Sequence, residues 1–332
     1  MNKATAFKTA LCGALLAPLL AMAAETDKPT QPYWTTLGVA GGPIIQGNAA
    51  QSIHALVAGD AVYVFDMGYG GVRQLAKAGL GLNKVKALFL THHHPDHNAD
   101  LGFFLVSKWL FGGPQPVQIY GPPGTKVLVD GLIKANAPTL QASFPVSGKG
   151  NGDLAALVNV TELDDRIDSP QAIYKDATVS ISAISVDHYQ VAPSIAIEGH
   201  PDAVAYRADV QHGRSFVYTG DSGKTENLLK LSKGADVLVS EVIDMPSIDK
   251  KLRTHMKDAP AGMLDKIVDN LEHNHLAPDF IGQLANQAQI KEVVLTHFVP
   301  PLEEGADTSR YSKGISRHFD GPVKIGQELG RY

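Results

Sequence analysis

Residues 91–97 read Thr-His-His-His-Pro-Asp-His and follow directly on the apolar Ala87-Leu88-Phe89-Leu90. No other stretch constrains the chain so tightly. Side chains two apart on an extended backbone point the same way. His92, His94 and Asp96 are therefore expected on one side of a strand end. Pro95 keeps His94 extended, and Asp96 is expected to cap the next helix, with His97 in its first turn. Crowding imidazoles and a carboxylate together is favourable only around a cation. Neutral imidazole and carboxylate are what zinc takes when thiolates are lacking.

Thiolates are lacking here. The one cysteine, Cys12, lies in the apolar run 10–20, between Lys3 and Lys8 on one side and Ala21-Met22-Ala23 on the other. That arrangement reads as an export signal over residues 1–23, too short to span a bilayer permanently. No other segment reads as a membrane span. An exported protein, periplasmic or secreted, is expected, with no cysteine left after cleavage. The net charge of −5 lacks the basic excess that favours nucleic acid. The expected partner is thus a small molecule and not a nucleic acid.

Three further apolar runs end on ligand-type residues: 178–187 on His188, 216–220 on Asp221 and 293–296 on His297. With His92, His94, Asp96 and His97 they make a set of seven, enough for two metal ions. Mn or Fe accepts the same donors as zinc. No phosphate-binding glycine loop, dinucleotide motif or Ser-His-Asp spacing stands out.

Strands are expected at 52–57, 61–66, 85–90, 117–120, 178–186, 203–209, 215–219, 237–242 and 292–295. Helices are expected at 71–78, 96–110, 126–135, 226–232, 261–270 and 278–288. This alternation predicts α/β or α+β layers on a sheet core. Residues 148–153 and 162–165 read as loops. Residues 246–257, dense in charge, read as an insertion over one end of the sheet.

The pattern Thr-His-x-His-x-Asp-His at 91–97 resembles the metallo-β-lactamase superfamily. So do Val64-Phe65-Asp66-Met67-Gly68 and Tyr218-Thr219-Gly220-Asp221, and the likeness runs from 36–42 to 295–297. It implies a four-layer αβ/βα sandwich of two mixed sheets with outer helices, a single domain over 24–332. By position it implies one zinc on His92, His94 and His188, and a second on Asp96, His97 and His297. Asp221 bridges the two, and Asp66 orients a ligand. His93 falls at the variable position.

The bridging aspartate resembles hydrolases of the ribonuclease Z, glyoxalase II and phosphodiesterase kind. Glu241 and His275 match the ribonuclease Z-like branch, where the histidine sits by the leaving group and the glutamate steadies it; His273 is a rival. Asp96 joins them as an expected participant in catalysis. Transfer-RNA-processing members carry a long basic arm, whereas Tyr206 to Asp221 is short here. Exported relatives with this core include zinc-dependent arylsulfatases.

The expectation is therefore an exported dinuclear zinc hydrolase of sulfate or phosphate esters, arylsulfatase-like, acting on a small anionic ester. A metal-bridging hydroxide is expected as nucleophile and His275 as proton donor. Lys224 is a candidate counter-charge, though exposure to solvent is the better expectation for it. The alternatives are a lactone, thioester or β-lactam hydrolase on the same site, or a metal-binding protein without catalysis.

Overall fold

A computed structural model describes residues 31–142, 152–189 and 202–332. The export-signal reading of 1–23 lies outside them, as does most of the loop at 148–153. The first sheet holds β1 (Tyr33–Gly38), β2 (Ile53–Ala58), β3 (Ala61–Phe65), β4 (Val85–Phe89), β5 (Val117–Gly121) and β6 (Val158–Glu162). The second holds β7 (Gln171–Lys175), β8 (Val179–Val186), β9 (Ala203–Val210), β10 (Ser215–Tyr218), β11 (Val237–Ile243), β12 (Glu292–Val299) and β13 (Val323–Ile325). The last strand, β14 (Gly330–Arg331), returns to the first sheet beside β1, giving seven strands in each.

Both sheets are mixed. β3 to β6 run parallel in one, and β10 to β13 in the other. Parallel neighbours need crossovers, supplied by α1 (Gly71–Lys77), α2 (Pro95–Asn98), α3 (Leu101–Phe111), α4 (Thr125–Ala135) and α5 (Ala137–Ala142). The second sheet uses α6 (Glu226–Ser232), α7 (Met245–His255), α8 (Met263–Asn274), α9 (Pro278–Gln287) and α10 (Ser309–Ile315).

Three apolar layers hold this together. Leu75, Leu101 and Phe104 pack helices on the outer face of the first sheet, while Leu228, Ile281 and Tyr311 do so on the second. Between the sheets lie Trp34, Phe65, Phe89, Tyr206, Phe216 and Tyr218. All six rings are essentially inaccessible. Removing one such ring from a close-packed core costs about 3–5 kcal/mol, so the site rests on a stiff bed. Two of the rings also reach upward. Tyr206 donates its hydroxyl to the Leu90 carbonyl at 2.6 Å, and Tyr218 donates to Asp66 at 2.9 Å.

Several boundaries differ from expectation. The helix foreseen at 96–110 is broken into α2 and α3. Met67 takes the reason on itself: its amide donates to the His97 carbonyl at 2.7 Å, and its carbonyl accepts from the Asp100 amide at 3.0 Å. Asp96 is not a cap. His94 holds the N-cap position, and the Asp96 carboxylate points into the site. Residues 246–257 are mostly the helix α7, capped by Asp244, which accepts from the Ser247 amide. Strands β1, β6, β7, β13 and β14, and the short helices α5 and α10, are not anticipated by the sequence. β6 and β7 are edge strands with little burial, which erases the alternation by which a strand is read.

Candidate metal centre

The C-terminal ends of β3, β4, β8 and β10, with the interiors of β11 and β12, bring the candidate metal ligands, Asp66 and Glu241 to one edge of the sandwich, and the end of α8 adds His275. Two of these positions are backbone-strained. Asp66 (φ 60°) and His297 (φ 42°) are in the left-handed region, which costs non-glycine residues roughly 1–3 kcal/mol and clusters at functional sites. His297 sits in an irregularity of the β11–β12 ladder. Pairing runs Ser240 with Leu295 and then Val242 with Phe298, so Thr296 and His297 together face Glu241. Such a bulge re-aims a side chain out of the strand's normal alternation.

The structure brings His92, His94, His188 and Asp221 into one group, and Asp96, His97, His297 and Asp221 into another. In the first, His94 Nδ1 lies 3.1 Å from both His92 Nε2 and His188 Nε2. Asp221 Oδ2 stands 3.9 and 3.8 Å from those two Nε2 atoms. In the second, His297 Nε2 is 3.2 Å from His97 Nε2 and from Asp96 Oδ2. The other carboxylate oxygen, Asp221 Oδ1, lies 3.3 Å from His297 Nε2 and 3.4 Å from His97 Nε2. One carboxylate thus spans both groups, one oxygen to each.

Donor chemistry fits a pair of ions. A tetrahedral cation with bonds of about 2.0–2.1 Å separates its ligand atoms by roughly 3.3 Å, close to the spacings found. Asp221 Oδ1 is buried with no hydrogen-bond partner, a costly state that a cation relieves. The ring nitrogens facing inward are those left with a lone pair. His92 Nδ1 donates to Thr91 Oγ1 at 3.0 Å, His97 Nδ1 to Asp66 Oδ2 at 2.8 Å, and His188 Nδ1 to the Asn274 carbonyl at 2.9 Å. Each partner fixes the tautomer that presents Nε2.

Electrostatics divides the two groups. Burial pulls His92, His94 and His188 below the usual histidine range, His188 to about 3. They stand ready as neutral ligands. Burial also opposes charge on His97, but Asp221, Asp66 and Asp96 outweigh it and raise that imidazole well above its ordinary value. Burial likewise disfavours the Asp221 carboxylate, yet His297 and His97 hold it well below the usual range.

Asp66 therefore has a measurable job. It accepts from His97, from the Thr91 amide at 2.8 Å, from Thr91 Oγ1 and from Tyr218. Asp66→Asn keeps the shape and tolerates φ 60° but removes the charge. Such changes beside a ligand typically cost about 10–100-fold in metal affinity. Chelator competition is expected to show that loss for one of two ions. If both ions are held as tightly as before, Asp66 has no such role.

The remaining expected residues separate cleanly. His275, at the end of α8, donates Nδ1–H to Glu241 Oε2 at 2.7 Å, and Glu241 Oε1 accepts from the Ser222 amide at 2.8 Å. Burial pulls His275 down, but Glu241 overrides it and raises the imidazole to about 9. His273 is exposed, its Nδ1 against the Asp269 carbonyl. His93 turns away to the Pro123 carbonyl at 3.1 Å, and Lys224 is exposed. Unforeseen are Gly42, whose amide donates to Asp96 Oδ2 at 2.9 Å, and Tyr189, whose ring lies edge-on to His92 and His94 and tilted against His188. Tyr189 directly follows His188, and an aromatic beside a strand-end histidine is the only signal the sequence offers for it.

Two mixed sheets back to back, with paired His/Asp clusters at one edge, define a metal-dependent hydrolase of the αβ/βα sandwich class. The chain belongs to the β-lactamase superfamily, whose domain model matches residues 63–298. It is 30% identical over 300 residues to a ribonuclease Z of Mycolicibacterium gilvum, covering 90% of this chain and 94% of that one. Its fold is similar to that of the metallo-β-lactamase fold protein YhfI of Bacillus subtilis (TM-score 0.62, 19% identity, 91% and 98% of the two chains). It is also similar to that of the short form of human tRNase Z (TM-score 0.60, 20% identity, 90% and 98%).

These findings correct part of the reading from sequence. Relatives named ribonuclease Z overturn the arylsulfatase-like ester hydrolase, the small anionic ester as partner and the exclusion of nucleic acid. The charge argument failed for a physical reason. A net charge of −5 sums the whole surface, whereas a polyanion meets the local field of the cleft, which cations held by these clusters would dominate. The same relatives overturn the export signal and the periplasmic or secreted location. Among the described residues no helix is long and apolar enough to cross a membrane.

Proposed function

We propose that this chain is a dinuclear zinc phosphodiesterase that cleaves RNA, in the manner that the name ribonuclease Z denotes. The observation that carries the proposal is the relationship at 30% identity over 90% of the chain to a ribonuclease Z. Supporting it are an all-nitrogen-and-oxygen donor set suited to zinc and a carboxylate, Asp221, spanning both clusters. His92, His94 and His188 are assigned to one ion, Asp96, His97 and His297 to the other, and Asp221 to both.

Two bound ions supply Lewis-acid polarisation of a phosphoryl oxygen and make water acidic enough to act at neutral pH. The chain supplies the rest. Thr91, Asp66 and the Asn274 carbonyl hold three imidazoles in the tautomer that faces the ions. Glu241 holds a proton on His275 Nδ1, which leaves Nε2 directed at the cleft to protonate the departing alkoxide. Asp96, fixed by the Gly42 amide, keeps its carboxylate ionised beside His297. The turn between β9 and β10 is short, so grip on RNA is assigned to the cleft itself.

The test uses zinc-loaded protein, a transfer-RNA precursor and an unstructured oligoribonucleotide. Chelator-sensitive cleavage of RNA, restored by zinc, is expected. Failure to cut either RNA with two ions bound overturns the proposal.

A further inference from the structure

The helical hairpin α7–α8 has an odd economy. Ile248 and Leu252 on one face of α7, and Met256 at its C-cap, recur every fourth residue, yet no residue of that helix is buried, and α8 buries only Asn274. An amphipathic face normally goes to the core. Here it goes to a cavity of about 670 Å³. Leu271 of α8, Val299 after the β12 bulge and Ile44 from the β1–β2 loop complete the apolar wall, and Ile44 is 73% exposed at its rim.

The floor of this cavity is the metal centre. His94, Asp96, His188, Asp221 and His275 line it together with the apolar residues. A group entering here is therefore the one joined to the phosphate at the ions. Phosphate recognition is not what the wall offers. Its one lysine, Lys251, is held by Glu303 at 2.9 Å, and its carboxylates are those of the metal centre. A volume of this size suits a single small group and not a duplex. The chemistry that matches an apolar wall beside a phosphodiester is a flat, uncharged ring. Bases contact apolar and aromatic side chains through their faces with little regard to sequence.

We infer that the α7–α8 wall is a nucleobase pocket, seating the unpaired base that flanks the scissile phosphate. This rests on the phosphodiesterase reading above. Across the hairpin, Arg253 of α7 pairs with Asp265 of α8 at 2.8 Å, a contact that substitution of Leu252 leaves in place.

Calorimetry on the zinc-loaded protein compares uridine 5′- and 3′-monophosphate with methyl phosphate, for the wild type and for Leu252→Asp and Leu252→Ala. At least one uridine ester is expected to bind about tenfold or more tighter than methyl phosphate. That ratio is expected to collapse in Leu252→Asp and shrink in Leu252→Ala, with two ions per chain and an unchanged melting temperature. Equal binding of base-bearing and methyl esters overturns the inference, as does a base preference that both variants keep. Hydrolysis of bis(4-nitrophenyl) phosphate by the same preparation judges the phosphodiesterase reading separately. A base preference without hydrolysis sinks that reading alone, and hydrolysis without a base preference sinks the pocket alone.

Discussion

Asp221→Ala is expected to leave fewer than two ions per chain and to slow phosphodiester hydrolysis by on the order of 10³-fold. Both carboxylate oxygens face donor clusters, so one substitution injures both ion sites at once. Electrophilic stabilisation by a metal ion is worth several kcal/mol, and each 1.36 kcal/mol is about tenfold in rate. His94→Ala, which removes a donor from one cluster only, is expected to do less to the other ion. Metal analysis with turnover of bis(4-nitrophenyl) phosphate checks this. Two ions and full turnover in Asp221→Ala would dismantle the assignment of a shared carboxylate.

His275→Ala is expected to separate substrates by leaving group. Loss of a positioned proton donor costs about 10²–10⁴-fold when an alkoxide departs, as from RNA. A nitrophenolate leaves without that help, so its release is expected to fall far less. The pH profile carries a sign. Glu241 raises His275 from its ordinary range to about 9, so the proton is in place at neutral pH and lost as pH climbs. Without ions, the stability His275 gains from an ionised Glu241 is lost as pH rises from about 6.5 through about 9. Bound cations push the proton off sooner, so RNA cleavage is expected to decline at or below pH 9. Glu241→Gln is expected to move that limb lower. Equal losses on RNA and on a nitrophenyl ester would exclude proton donation by His275.

Much of the site could be read before any coordinates. Strand-end position is what made His188, Asp221 and His297 legible, because an apolar run stops where the chain emerges from the sandwich. The bulge at Thr296–His297 could not be read. It depends on pairing with Glu241, more than fifty residues away, and leaves no local trace. α7 is hidden in the sequence because Asp249, Lys250, Lys251 and Arg253 dominate its composition. Its helical period of 248, 252 and 256 was present but thin. The break between α2 and α3 is equally hidden, since Met67 imposes it from the segment after β3. The substrate class misled for a different reason: total charge was weighed where local field decides.

The donor residues come from opposite halves of the sandwich. His92, His94, Asp96 and His97 follow β4 of the first sheet, while His188 follows β8, Asp221 follows β10 and His297 lies in β12 of the second. Each ion bound there would be a clasp across the seam between the halves, added to the apolar packing and to the hydrogen bonds of Tyr206 with Leu90 and Tyr218 with Asp66 that already join them. Metal loading and cohesion of the fold would then be coupled, so that stripping the ions is expected to lower stability along with turnover.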